Sequence, residues 1–188
     1  MEQVRLTIEG IVPIMFSRFP LPAKPGDTKK QKTQTLAEKM WIDEKGVYIP
    51  TDNLRMLLVG NTKRTGAAKI YGSEYESKKG TKYWNFVKAC VWVIGEGEKR
   101  DKVYFTPNRK KHDDTDIRSF INASGSRSTV ERPLLVTPWS LTFDVQITDG
   151  SVSVEKIKAM YEVAGMRCGL GVYGPTFGRF IVKEWKTI

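Results

Sequence analysis

The only histidine of this 188-residue chain, His112, stands between Lys111 and the carboxylates Asp113, Asp114 and Asp116. An imidazole beside three acids is the one place where metal-assisted attack on a phosphodiester can be imagined. The spacing argues against it, because metal sites draw defined ligand sets from several elements, whereas this run supplies a single acidic loop. Ser124-Gly125-Ser126 offers a hydroxyl without the nucleophile-elbow pattern, and His112 would be its sole base. Cys90 and Cys168 have neither pairing nor metal spacing and read as free structural thiols. The residue types therefore predict a non-catalytic protein with no metal and no cofactor. His112, Asp113, Asp114 and Asp116 are the residues to test should cleavage be seen.

Charge carries more information. Lys and Arg total 31 against 21 Asp and Glu, a formal net charge of +10, which favours a polyanionic partner. The excess is not spread evenly. Residues 18–34 hold Arg18, Lys24, Lys29, Lys30 and Lys32 against Asp27; residues 61–83 hold six cations, Lys63 and Arg64 among them, against Glu74 and Glu76. Residues 99–132 hold nine, including Arg109, Lys110, Lys111 and Arg127, against five carboxylates. Any one such stretch reads as a solvated loop, but three on one small domain point to phosphates, which Lys and Arg neutralise without reading sequence. Tyr71, Tyr83, Trp84, Tyr104, Phe105 and Phe120 lie near these stretches and are candidates to stack on unpaired bases, with core packing as the alternative for each.

The third feature is the run from Gly165 to Phe180, in which Gly165, Gly169, Gly171, Gly174 and Gly178 require close backbone approach or positive φ. It follows a helix and precedes a strand, the reverse of the order in a P-loop or dinucleotide fingerprint, so neither is present. Backbone amides in such a loop can meet phosphates, with Arg167 and Arg179 beside them.

Val4, Leu6 and Ile8 alternate with polar residues, predicting a strand over 4–9. Pro50-Thr51-Asp52 followed by Leu54, Leu57 and Leu58 predicts a helix over 52–59 that stops at Gly60. The apolar run 86–94 reads as a buried strand, and 141–147 alternates as another. Ser153 caps a helix on which Val154, Ile157, Tyr161 and Ala164 recur, with Gly165 as its stop, and 178–185 returns as a last strand. The order strand-helix-strand-strand-helix-strand is that of an α+β, ferredoxin-like (RRM-like) domain, an antiparallel sheet with two helices on one face. The expectation is one domain over 1–188 with two large basic insertions, a loop or hairpin at 18–50 and a second at 95–140.

A helix, a Gly-x-Gly and a Gly-Arg-Phe entering the last strand resemble the glycine-rich loop of the RAMP superfamily, the ferredoxin-like proteins of CRISPR effector complexes. Val47-Tyr48-Ile49-Pro50-Thr51-Asp52-Asn53-Leu54-Arg55 is similar to the segment in the family's backbone subunits where an extended Ile-Pro leads into a polar turn and a Leu-Arg helix start. The sharp motifs cover 47–60 and 165–182. The chain departs from the family pattern in carrying Thr51-Asp52-Asn53 where glycine and serine are usual, and in being shorter; a phage-encoded free-standing relative fits both. The resemblance implies that 95–140 is a thumb-like insertion, that Asn53 and Arg55 join the RNA contacts, and that protomers form a homo-oligomer or filament on guide RNA with other effector subunits.

Single-stranded RNA is thus the favoured partner. Single-stranded DNA, as for a phage binding or annealing protein, is the alternative, since a 2′-hydroxyl contact leaves no sequence pattern. A structural assembly subunit and a guide-processing endoribonuclease are the other readings. The chain shows no basic amphipathic helix and no long apolar run, so no membrane partner is expected, and its alternating first residues predict a cytoplasmic location.

Overall fold

The computed structural model describes residues 1–20, 34–62, 64–121 and 124–188. In chain order the first elements are β1 (Glu2–Gly10), β2 (Ile14–Met15), a short 3₁₀ turn at Ala37–Lys39, β3 (Tyr48–Pro50), α1 (Thr51–Val59), α2 (Ala67–Glu74) and α3 (Gly80–Cys90). They are followed by β4 (Val91–Ile94), β5 (Lys102–Thr106), β6 (Asp114–Ile121), β7 (Arg127–Leu135), β8 (Ser140–Ile147), α4 (Val154–Val163) and β9 (Phe180–Thr187).

The protein is α+β, with antiparallel sheets. β1 lies between β8, with Glu2 opposite Ile147 and Glu9 opposite Ser140, and β9, with one register shift between Thr7 and Ile8. β4 and β5 both pair with β8 along its other side, and β3 adds to β5. Val4, Leu6 and Ile8 of β1 and Leu141, Phe143 and Val145 of β8 are fully or almost fully buried, the one-face burial that strict alternation dictates. They meet Leu54, Leu57 and Leu58 of α1 and Ile157, Met160 and Tyr161 of α4 in one core. The opposite face is polar: Arg5 donates two hydrogen bonds to Asp144 at 2.8 and 3.1 Å, and the Thr7 and Thr142 hydroxyls are 3.0 Å apart.

Two expectations are corrected. The strand expected over 86–94 is extended only at Val91–Ile94; Phe86–Cys90 close α3, whose buried side chains, Tyr83, Phe86 and Val87, recur at helical spacing. A short apolar run fits either period, and here the upstream Tyr83 decides for 3.6. Accordingly four α-helices rather than two are present among the described residues, since α2 and α3 fill the stretch between α1 and β4. Of the segments read as insertions, residues 21–33 lie outside the described residues, while β3 and β5 extend the main sheet. β6 and β7 form a separate hairpin, joined to β2 by Ile14 opposite Leu135 and Met15 opposite Leu134. Among the described residues no helix is long and apolar enough to cross a membrane.

Candidate nucleic-acid interface

After α4 the chain continues through a π-helical turn, Ala164–Cys168, and ends it at Gly169 with φ +69°. The stop expected at Gly165 is therefore four residues later. Gly165 is helical, and it is glycine because the Phe180 backbone carbonyl lies against it. The loop beyond is held in place by backbone bonds: Val172 N–H donates to the Met15 carbonyl at 3.1 Å, Gly178 N–H to Pro13 at 2.8 Å, and Leu170 N–H to Gly178 at 2.8 Å. Gly178, at φ +70°, sits so close to the Leu170 carbonyl that a Cβ has no room. β2 is thus a seam, bonded to β7 on one side and to the glycine-rich loop on the other.

Two basic connections meet that loop. From the α1–α2 connection, Arg64 donates from Nη1 to the Gly169 carbonyl at 3.1 Å, its own N–H held by Asn61 Oδ1 at 2.9 Å. Beside it opens a cleft of about 280 Å³ whose described lining includes Arg64, Lys69, Thr81 and Trp84 and no carboxylate. The Trp84 indole is fixed by Nε1–H donation to the Val59 carbonyl at 2.9 Å, and Lys88 Nζ lies 4.8 Å from its ring centre. From the hairpin, the Arg118 guanidinium lies 5.0 Å from the Tyr173 ring centre and 5.1 Å from that of Phe177, and Arg132 lies 5.1 Å from Tyr173. These are cation–π distances. Tyr173 adopts φ +57°, a left-handed backbone uncommon for a bulky residue.

The other expected contacts divide by how they are used. Arg179 lies just before β9, with its Nε buried and unpartnered. Arg167 pairs with Glu74, which together with the neighbouring Tyr75 raises its pKa. Arg55 is spent within the fold: it donates from Nε to the Val91 carbonyl at 3.0 Å and from Nη2 to that of Lys88, lying 4.3 Å from the Trp92 ring centre. It caps α3 and covers the edge of β4. Asn53 is half-buried in the first turn of α1, Arg18 is half-buried, and Arg127 is exposed where β7 begins. Arg109 bonds Asp113 at 3.2 Å and the Pro138 carbonyl at 3.3 Å, and Lys110 bonds the carbonyls of Glu44 and Lys45. Lys111 is exposed. Lys29, Lys30 and Lys63 lie outside the described residues, as does the side chain of Phe120.

The acidic residues accept hydrogen bonds from nearby groups. Asp113 accepts from Arg109 and, at 3.0 Å, from Val136 N–H; Asp114 accepts from Thr115 N–H at 2.8 Å; Asp116 accepts two bonds from Arg118, at 2.6 and 3.3 Å. Among the described residues no three His, Cys, Asp or Glu are grouped to hold a metal. Of the aromatics, Tyr83 and Phe105 are core, Tyr71 stacks on Tyr75, and Tyr104 donates to Asp43 at 2.8 Å. Asp43, which also accepts from Lys102 Nζ at 2.7 Å, is thereby pulled down to about 2. Arg118, Arg132, Tyr173 and Phe177 were not singled out from sequence. The aromatics interleaved in the glycine run were the available signal.

No protein-family model matches the chain, and no curated protein matches it. Among solved structures it is similar to a chain in the cryo-EM structure of the type III-B Cmr-beta bound to cognate target RNA, at 14% identity and a TM-score of 0.53. The alignment covers 100% of this chain and 60% of that one. The protein thus spans less than two thirds of its neighbour's length, and the likeness at this identity is one of fold: an antiparallel α+β architecture shared with a chain of that RNA-bound structure.

Proposed function

We propose that the protein is a non-catalytic subunit that binds single-stranded RNA and assembles with further copies of itself, or with other effector subunits, along a guide RNA. The observation that carries this reading is the convergence on one glycine-rich loop of two basic connections, through Arg64 on Gly169 and through Arg118 and Arg132 on Tyr173 and Phe177. Cations from both connections lie against the loop, and two of its aromatic rings lie beside the hairpin's arginines, the charge and stacking surface that a single strand requires. The strand order β9-β1-β8-β4 supports the ferredoxin-like reading, and likeness to a chain of an RNA-bound structure supports RNA over other polyanions. The β6–β7 hairpin, with Ile117 and Ile121 66% and 71% exposed, would be the thumb that reaches an adjacent subunit. At its base the carboxylates of Asp113 and Asp116 accept from Arg109, Val136 N–H and Arg118.

The test is a fluorescence-anisotropy titration of labelled unstructured RNA, the DNA of the same sequence and duplex RNA, repeated from about 50 to about 300 mM salt. Binding to single strands with a steep salt dependence, RNA tighter than DNA, is expected. Equal or tighter DNA binding would favour the annealing protein, and preference for the duplex would overturn the reading.

A further inference from the structure

Of the four buried side-chain nitrogens and oxygens that lack a hydrogen-bond partner among the described residues, three belong to arginines at this interface: Nε and Nη1 of Arg132 and Nε of Arg179. A guanidinium keeps its charge at any ordinary pH, and buried donors without acceptors are costly enough that each needs an explanation. The neighbouring Arg118 shows what is missing. Both arginines lie over the Tyr173 ring, yet Arg118 has a carboxylate, Asp116, gripped by two bonds. Asp116 stands directly opposite Arg132 in the β6–β7 register, but it is given to Arg118. One carboxylate thus stands beside two guanidinium groups and bonds only Arg118, which leaves Nε and Nη1 of Arg132 without an acceptor among the described residues.

We infer that Arg132 is a stored anion-binding residue: it rests on Tyr173 in the free protein and turns its unpartnered donors to a phosphodiester group when nucleic acid enters, vacating the ring for a base. This rests on the functional reading above and adds to it the residue and the exchange. The surroundings suit the step. Pro133, the next residue, is anchored by accepting from Phe16 N–H at 3.0 Å, so the backbone at Arg132 stays fixed while the side chain moves. Tyr173 is 43% exposed and held in a left-handed backbone, so its ring is already presented at the surface. The ligand is anionic because the donors carry charge, and a phosphodiester because nucleic acid brings that anion together with a base for the exposed Tyr173 ring.

Arg132→Met keeps the aliphatic packing on Tyr173 and removes the charge. The variant melts at or above the wild-type temperature, since two buried donors without acceptors have gone. Its affinity for single-stranded RNA falls roughly tenfold to a hundredfold, the loss of a charge-assisted contact, and its log-log salt slope shrinks by about 0.7, one phosphate. A variant that melts lower but binds with unchanged affinity and slope makes Arg132 merely structural and overturns the inference while leaving RNA binding intact. Should Arg132→Met fail to fold, Arg132→Lys decides: a retained slope with weakened affinity supports the exchange, and wild-type affinity overturns it. Should the wild type bind no RNA, the functional reading falls by itself. Stabilisation of the wild type by tripolyphosphate, absent in Arg132→Met, then still supports the anion site, and no stabilisation overturns it.

Discussion

Replacing Gly178 by alanine tests whether the glycine-rich loop is built as described. Gly178 has φ +70°, and a residue with a Cβ in that region costs about 1–2 kcal/mol. The added Cβ would also run into the Leu170 backbone carbonyl. That carbonyl cannot swing aside freely, because the N–H of the same residue donates to the Gly178 carbonyl at 2.8 Å and Gly178 N–H is bonded to Pro13 at 2.8 Å. Overpacking of this kind adds about 1–3 kcal/mol. The two contributions together are roughly 2–5 kcal/mol, which for a domain of this size lowers the melting temperature by roughly 4–20 °C. Gly97→Ala is the control, since Gly97 has φ +87° with nothing within 4 Å of an added Cβ; it carries only the backbone cost, roughly 2–8 °C. Differential scanning calorimetry of both variants decides. If Gly178→Ala melts within a degree or two of Gly97→Ala, the close packing of the loop against Leu170 is wrong.

Arg55→Ala removes two bonds to the carbonyls that end α3 and begin β4, together with the Trp92 contact, and lowers stability in urea by about 1–3 kcal/mol; an unmoved midpoint would show that these bonds contribute nothing. Asp43, held near 2 by Lys102 and Tyr104, has a folded-state pKa below its unfolded value of about 4. It therefore stabilises the fold above that unfolded value and loses the contribution as pH falls from about 4 toward 2. Asp43→Asn removes this acid-sensitive part, so melting curves of the two proteins converge as pH drops through that window; a constant difference there refutes the assignment. Lys29→Ala combined with Lys30→Ala weakens RNA binding about equally for all sequences and flattens the salt slope, as phosphate contacts do, and a strongly sequence-dependent loss argues against that role. His112→Ala leaves labelled RNA as intact as the wild type does over hours at about physiological temperature on a denaturing gel; metal-independent cleavage that vanishes in the variant would make the protein an endoribonuclease.

The elements legible in the sequence are those with one buried face and a marked end. β1 and β8 alternate strictly, α1 and α4 carry leucines or isoleucine and tyrosine at helical spacing, and each helix begins after a recognisable polar or proline signal. α3 was hidden because Phe86 and Val87 flow without a break into Val91 and Val93, so one apolar run spans a helix end and a strand start. Of the site, the glycine-rich loop was visible as composition, but its partners were not. Arg64 meets Gly169 across 105 positions of sequence, and whether Arg132 or Arg118 receives Asp116 is a question of hairpin register that no local pattern answers. Arg55 looked like an RNA contact in its motif, and the fold uses it to close a helix.

The central claim is that this chain holds single-stranded RNA and assembles on it. The most direct measurement is sizing-column mass together with the 260-to-280 nm absorbance ratio of protein purified at low salt, before and after RNase or DNase. The account predicts large particles rich in nucleic acid that RNase collapses and DNase leaves intact. A monomer of 21.4 kDa, free of nucleic acid before any nuclease is added, contradicts it.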